Sequence, residues 1–149
     1  MKISEILDRK GRDVFTIEED RSIFEFTSML VEKNIGSLLV KNKENEITGI
    51  ITERDLVKAF DKYKDNIRSI NIKQIMTPLS KIITINENED VQNAMLIMTS
   101  KRIRHLPTIN DNKTISGMLS IGDLVNSLLT VKDTQIMMLQ DYINGKYPG

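Results

Sequence analysis

The sequence contains no cysteine and a single histidine, and these two shortages exclude several kinds of chemistry. Without cysteine the chain has no disulfide, no thiol nucleophile and no thiolate metal site. His105 alone lacks the partners that a zinc site requires. A triad of Ser37, His105 and an aspartate lacks the strained elbow that presents a catalytic serine. Since the sequence also has no P-loop, we expect no enzymatic activity, no catalytic cofactor and no metal.

The chain also lacks a net charge and any long apolar run. Its basic and acidic residues number 21 each, so no overall field attracts nucleic acid or an acidic membrane. The basic stretch of Lys62, Lys64 and Arg68 is interrupted by acids, which is typical of a solvated linker rather than a nucleic-acid surface. No segment has the apolar length of a membrane span, and the first residues lack a signal-peptide core. A cytoplasmic location is therefore expected.

What the sequence does contain is an internal repeat. Residues 47–57, ITGIITERDLV, recur 68 positions later as residues 115–125, ISGMLSIGDLV, so that Thr52 corresponds to Ser120. The same shift relates residues 14–57 to the second copy without a gap. A repeat has to be identified before a fold is assigned, because missing it leads to the wrong fold. Two copies of a varied unit predict a pseudo-twofold pair with two related clefts.

Each copy has the pattern of a β-α-β-β-α unit, which predicts an α/β (α+β) fold. In the first copy, the β-branched and aromatic residues 14–17 predict a strand, and apolar residues at helical spacing follow. Residues 36–40 and 47–51 predict two strands joined by a polar turn, and a helical pattern resumes after Thr52. The corresponding parts of the second copy are residues 82–85, 105–109 and 115–119, and a helix that begins at Ser120.

The repeats divide the chain into a first repeat at 1–62, a linker at 63–71, a second repeat at 72–130 and a C-terminal helical extension at 131–149. The linker is polar and about as long as an ordinary connection. Short amphipathic segments at 3–7 and 72–78 lead into the two repeats. The last helix continues its apolar stripe to Ile143, before Gly145 and Pro148. That stripe either joins two copies of the chain or packs back on its own domain.

Each hairpin ends in Gly-apolar-apolar-(Thr/Ser)-x-x-Asp, where a strand runs into a helix. A glycine lets a ligand or a backbone approach the strand closely. A hydroxyl beside the free N–H groups of a helix start is a natural phosphate site. One turn later, the carboxylate of Asp55 or Asp123 can accept both hydrogens of a ribose diol. The same spacing also fits a capping box, so the motif alone leaves ligand binding and helix capping both open.

The whole pattern resembles the CBS domain pair, also called the Bateman module. The resemblance rests on residues 35–40 and 47–56 in the first repeat and on 75–78, 104–107 and 117–124 in the second. It covers nearly the whole chain, and the long tail looks like that of small stand-alone bacterial members. It implies that clefts between the two repeats bind adenosine-containing ligands such as AMP, ATP, NAD or S-adenosylmethionine. It also implies a flat homodimer.

The resemblance assigns ligand-binding residues to two separate clefts. Asp55 and Asp123 would hold ribose, Thr52 and Ser120 would reach phosphate or ribose oxygens, and Ile50 and Met118 would line the adenine pockets. The residues facing Asp55 would be Thr77, Lys81, Ile83, Ile103 and Arg104, and those facing Asp123 would be Val14, Phe15, Ile35 and Gly36. The remaining candidates are Ser37, Arg54 and His105.

Departures from the repeat predict that the two clefts are not equivalent. Arg104 and His105 correspond to Gly36 and Ser37, so this basic pair occurs only once. Ligands with more phosphate charge are expected to prefer the cleft that the pair reaches. The strand of the pair runs between both clefts, so the sequence does not say which cleft that is. Where the first repeat has Arg54 the second has Gly122, which either gives a ligand room or is simply tolerated.

The favoured function is a regulatory module that senses an adenine nucleotide of the AMP, ATP or NAD type and acts through a homodimer on an unidentified protein. The alternative is a constitutive dimerisation module without a physiological ligand, in which the Thr/Ser-x-x-Asp motifs are only helix caps.

Overall fold

Two small sheets, one for each repeat, organise the fold. The computed structural model describes residues 1–145. The first part of the chain forms α1 (Ile3–Lys10), β1 (Thr16–Glu18), α2 (Ile23–Lys33), β2 (Ser37–Lys41), β3 (Ile47–Thr52) and α3 (Glu53–Tyr63). A 3₁₀ helix (Lys64–Ser69), α4 (Ile72–Ile75), β4 (Thr77–Pro78) and a second 3₁₀ helix (Leu79–Lys81) follow. The second repeat contributes β5 (Ile85–Asn86), α5 (Val91–Lys101), β6 (His105–Ile109), β7 (Ile115–Ser120) and α6 (Ile121–Ile143).

Both sheets have the same arrangement of one parallel and one antiparallel pair. The first has the order β1-β2-β3-β4 and the second the order β5-β6-β7. In each, the short first strand runs parallel to the next one, which then forms an antiparallel hairpin. The predicted α/β fold class is confirmed. The first strands begin later than the sequence pattern predicts, at Thr16 and Ile85. Ile82 and Ile83, which precede β5, line a cleft instead.

An asparagine holds each hairpin turn. The Asn42 side-chain oxygen accepts from the N–H groups of Glu44 and Glu46, both at 3.0 Å. Asn110 does the same in the second hairpin with Asn112 and Thr114, again at 3.0 Å. Asparagine favours such turns because its side chain can hydrogen-bond the backbone two residues on. The two hairpins therefore present equivalent strand ends to the helices that follow.

The short helices α1 and α4 each pack into the core of the opposite repeat. Ile3 and Leu7 of α1 are fully buried with Leu106, Leu119 and neighbouring residues of the second repeat. Ile72 of α4 is equally buried among the first-repeat core residues. Each segment therefore precedes one repeat in sequence and completes the core of the other.

The segment between the repeats is a packed element rather than a free linker. Its Ile67 and Ile70 are buried with Ile23 and Ala59. Residues 63–71 are mostly polar, so the sequence does not indicate that these two isoleucines are buried. They lie three residues apart and so share one side of a 3₁₀ turn.

The last helix, α6, extends 23 residues and carries its apolar stripe beyond the second core. Exposed apolar residues on it are Ile121, Val125, Leu128, Leu129, Ile136, Met137, Met138, Leu139, Tyr142 and Ile143. Residues 146–149 of the predicted extension lie outside the described residues. Within residues 1–145, no helix combines the length and the apolar character needed to cross a membrane.

Candidate functional site

The two Thr/Ser-x-x-Asp motifs form helix caps. At the start of α3 the Thr52 N–H donates to Asp55 Oδ2 at 3.0 Å, and the Asp55 N–H donates to Thr52 Oγ1 at 3.4 Å. At the start of α6 the corresponding distances between Ser120 and Asp123 are 2.8 and 3.1 Å. In the described part of the chain, the hydrogen bonds that the Asp55 carboxylate accepts all end on Oδ2. Capping therefore leaves Oδ1 of Asp55 available to a ligand.

A cleft of about 580 Å³ lies between the two repeats on the Asp55 side. That volume is in the range of cavities that hold small-molecule ligands. Of the residues predicted from the sequence, those that line it are Ile50, Thr52, Arg54, Asp55, Thr77, Lys81, Ile83, Ile103, Arg104 and His105. The structure thus brings together residues from α3 and β3 of one repeat and from the start of β6 in the other.

Sequence reasoning missed seven lining residues: Glu53, Val57, Lys58, Ile82, Lys101, Arg102 and Pro107. Two signals could have found three of them. Lys58 lies four residues after Arg54 on α3 and so shares its face. Lys101 and Arg102 directly precede the predicted Ile103 and Arg104.

The lining of this Asp55 cleft is strongly basic. Its charged members are six bases, namely Arg54, Lys58, Lys81, Lys101, Arg102 and Arg104, and two acids, Glu53 and Asp55. Burial raises the pKa of Asp55, against hydrogen bonds from Thr52 and the nearby charges of Lys58 and Arg54, which lower it. Arg54 also donates from Nη1 to the Arg102 carbonyl at 2.9 Å and so ties the two repeats together beside the cleft.

His105 lies where the two repeats meet. A Cβ atom on Gly36 would lie 2.9 Å from both Cε1 and Nε2 of His105, so the glycine makes room for the ring. Burial lowers the pKa of His105, although the carboxylates of Glu53 and Asp123 act in the opposite direction. The imidazole is therefore neutral near pH 7. Both members of the basic pair line the Asp55 cleft, and Arg104 is the one that carries charge there.

The Asp123 side differs because a lysine reaches it. Lys10, which sequence reasoning did not identify, donates from Nζ to Asp123 Oδ2 at 2.8 Å and to the Met118 carbonyl at 2.6 Å. Ser120 caps the helix beside them.

The structure places the other residues predicted for the Asp123 cleft in varied surroundings. Ile35 packs against the core of the first repeat. Ser37, a candidate that was assigned to neither cleft, is buried. Phe15 is exposed, with the Lys33 ammonium 4.4 Å from its ring centre, and Val14 precedes it. A ligand-binding role for this group stays a prediction.

The glycines of the two motifs accommodate protein rather than open space. A Cβ atom on Gly49 would lie 2.6 Å from the Thr77 carbonyl oxygen and 2.6 Å from the sulfur of Met76. On Gly117 it would lie 2.8 Å from Leu7 Cδ2. Each glycine therefore lets a segment of the chain cross the strand closely: β4 in the first sheet, and α1 in the second.

The two repeats each match the family model described as "CBS domain", over residues 3–62 and 72–130. The chain belongs to the CBS-domain family. The predicted resemblance to the CBS pair is confirmed over both repeats.

Known CBS proteins are similar to the chain over most of its length. It is 32% identical over 151 residues to the mitochondrial CBS domain-containing protein CBSX3 of Arabidopsis thaliana, covering 97% of this chain and 73% of that protein. A crystal structure of a CBS-domain containing protein from Agrobacterium tumefaciens superposes with a TM-score of 0.79 at 35% identity, covering 85% and 98% of the two chains. The CBS domain pair of protein MJ0100, in complex with 5′-methylthioadenosine and S-adenosyl-L-methionine, gives a TM-score of 0.72 at 26% identity, with coverages of 89% and 98%.

In this CBS pair the two Thr/Ser-x-x-Asp motifs cap equivalent helices, α3 and α6, but have different surroundings. On one side Asp55 faces an open, basic cavity, and on the other Asp123 is paired with Lys10. The prediction that the clefts are unequal stays a prediction for binding, and the structure supplies a geometric basis for it.

Proposed function

We propose that this CBS pair is a regulatory module that binds a phosphate-bearing adenosine ligand, of the AMP, ATP or NAD type, in the Asp55 cleft. The observation that carries the proposal is a cavity of about 580 Å³ whose lining includes the half-buried Asp55 and six basic residues. A carboxylate accepts hydrogen bonds only, which suits a ribose diol, whereas arginine and lysine suit phosphate oxygens. One cleft thus offers both recognition elements of a nucleotide.

Each part of the ligand has a matching part of the cleft. Asp55 would accept the ribose hydroxyls, and Thr52 would contact a ribose or phosphate oxygen. Arg104 and its basic neighbours would hold phosphate. The apolar wall for adenine would come from Ile50, Ile83 and Ile103, which line the same cavity. An apolar wall with a few directed polar groups is the usual composition of a small-molecule site.

The positive charge of the lining favours phosphate over a sulfonium. S-adenosylmethionine, which the pair of protein MJ0100 binds, carries a positive sulfur that the surrounding bases would repel. AMP, ATP and NAD carry the opposite charge. We therefore place these nucleotides above S-adenosylmethionine as ligands of this chain.

Adding AMP, ATP or NAD to the purified protein is expected to raise its melting temperature. A ligand at 100 times its dissociation constant stabilises the folded state by about 2.7 kcal/mol. For a chain of this length, that corresponds to a rise of roughly 5–10 °C in differential scanning fluorimetry. S-adenosylmethionine at the same concentration should give a smaller rise. If none of the four ligands changes the melting temperature, the constitutive dimerisation module is the better description.

Replacing Arg104 by alanine is expected to weaken AMP binding about tenfold, since a hydrogen bond to a charged group contributes about 1.5–3 kcal/mol and the site is partly open to solvent. Adenosine binding should change less than about twofold, and the effect on AMP should shrink as salt rises. Isothermal titration calorimetry with both ligands measures this difference. Arg68→Ala is the matched control, because Arg68 stacks near Phe24, away from the cleft. Equal losses for AMP and adenosine would assign Arg104 a structural role instead.

We also propose that the regulatory form is a homodimer. Exposed apolar residues recur at equivalent positions of α3 and α6, with Val57 and Phe60 corresponding to Val125 and Leu128. Leu128, Leu139 and Ile143 lie along one side of α6, given a rotation of 100° per residue. Exposed apolar residues at matching positions of two related helices suit an isologous interface between copies.

The double variant Leu139→Glu, Ile143→Glu is expected to shift the dimer toward monomer, because it would place charge in the proposed apolar contact. Light scattering at micromolar concentration should give twice the chain mass for the wild type and a lower mass for the variant. Thr134→Glu, on the opposite side of α6, should behave like the wild type. A wild-type protein that is monomeric at this concentration would contradict the dimer.

A further inference from the structure

Lys10 contacts Asp123, the residue that a ligand of the predicted second cleft would meet. Its ammonium group donates to Asp123 Oδ2 at 2.8 Å and to the Met118 carbonyl oxygen at 2.6 Å. These are the two acceptors that a nucleoside would use, since the carboxylate suits a ribose diol and the carbonyl suits an adenine amino group. Lys10 thus places a cation from within the chain against this carboxylate and this carbonyl.

The position of Lys10 is fixed by the helix that carries it. Ile3, Ile6 and Leu7 anchor α1 in the core of the second repeat, and Lys10 is the last residue of the helix. Leu7 lies against Gly117, in the strand that leads to Met118 and Asp123. Because the buried side of α1 rests on this strand, the last turn of the helix ends beside Met118 and Asp123.

Among residues 1–145, the first repeat shows no such arrangement, because the equivalent helix is shorter. α1 spans eight residues, whereas its counterpart α4 spans four and is followed by Met76, Thr77 and Pro78. A proline cannot continue a helix and disfavours the helical conformation in the residue before it. The chain therefore becomes the strand β4, with Thr77 beside Ile50, and the Asp55 cleft stays open.

We propose that Lys10 is the residue that decides which cleft binds nucleotide: it occupies the Asp123 cleft as an internal cation and restricts binding to the Asp55 cleft. This inference rests on the proposed function, in that it concerns the same class of ligand. A nucleotide entering the second cleft has to break the ion pair and replace two hydrogen bonds before it gains any contact of its own. Removing the ammonium group should turn the second cleft into a binding site.

Calorimetric titration of AMP into four proteins tests this: wild type, Lys10→Met, Asp55→Asn and the double variant. The wild type should bind one AMP per chain, and Asp55→Asn should lose that site. Lys10→Met should bind two, with second-site affinity raised at least about tenfold over the wild type. The double variant should bind one, and adding Asp123→Asn should abolish it. Lys43→Met, which removes an exposed lysine in a hairpin turn, is the matched control and should bind like the wild type.

The outcomes separate this inference from the proposed function. If the wild type binds one AMP at Asp55 but the double variant binds none, Lys10 does not restrict the second cleft. The same conclusion follows if the wild type already fills two sites, or if the lysine variant weakens second-site binding. If the wild type binds no AMP while the double variant binds one, the assignment of the Asp55 cleft is wrong and the role of Lys10 stands. If no variant binds AMP, both are overturned.

Discussion

Replacing Asp55 by asparagine is expected to weaken AMP binding about 100-fold, because two charge-assisted hydrogen bonds to the ribose are lost or reversed in polarity. The asparagine oxygen can still accept from the Thr52 N–H, so the cap of α3 is kept and the melting temperature should change little. Calorimetry for affinity and fluorimetry for stability measure the two effects separately. The same substitution at Asp123 is the matched control, because that residue has an equivalent capping role.

The two substitutions should therefore have different effects on a wild-type background. Asp123→Asn should leave AMP affinity within about twofold, because Lys10 already holds that carboxylate. Equal losses at the two positions would mean that both clefts bind the ligand. Unchanged affinity in both variants would reduce the two motifs to helix caps.

The pH dependence of the Asp55 site has a definite sign. Burial raises the pKa of Asp55, so its carboxylate becomes protonated at a higher pH than an exposed aspartate. AMP affinity should fall as the pH is lowered through this raised pKa. A raised pKa also means that the folded state favours the protonated acid, so the ionised group lowers stability above that pH. Asp55→Asn removes this contribution, which is a second reason to expect little loss of stability.

Replacing Gly49 by alanine is expected to destabilise the fold by about 1–3 kcal/mol. The added Cβ atom would lie 2.6 Å from the Thr77 carbonyl, and this backbone atom cannot move without separating β4 from β3. Since β4 carries Thr77 to the Asp55 cleft, AMP affinity should fall as well. Urea denaturation gives the change in the free energy of unfolding.

Gly122→Ala is the control for this substitution. The nearest atom to its added Cβ would be Ser120 Oγ at 3.6 Å, an ordinary contact. Alanine is preferred over glycine in a helix by about 0.5–1 kcal/mol, so this variant should be as stable as the wild type or more stable. Loss of stability in Gly122→Ala, or none in Gly49→Ala, would contradict the close crossing of β4 over Gly49.

Local patterns determined what could be predicted from the sequence. The order of strands and helices follows from apolar spacing and from asparagine turns that act within a few residues. The Asp55 cleft could be assigned because its residues lie in repeated or family-like motifs. The basic residues Lys58 and Lys101 were missed because each lies in an ordinary amphipathic helix, and only packing shows that their charges converge.

The contacts that were missed join distant parts of the chain. Lys10 is separated by 108 residues from Met118 and by 113 from Asp123, and no local pattern indicates that they meet. Likewise, the amphipathic pattern of residues 3–7 shows that one side is buried but not which sheet buries it. The same limit applies to Ile67 and Ile70, whose burial depends on α2 and α3.

The exchange of short helices between the repeats means that neither half of this chain is a self-sufficient folding unit. A fragment of residues 1–71 would keep Ile3 and Leu7 with nothing to cover them, and would lack Ile72 in its own core. The fragment from residue 72 onward would keep Ile72 with nothing to cover it, and would lack Ile3 and Leu7 in its own core. Mixed together, the two fragments should restore each other, and the intact chain should unfold in one cooperative step. A gene rearranged so that residues 1–10 follow the second repeat would place α1 in the same half as the sheet it covers. That second half would then contain all the residues of its own core.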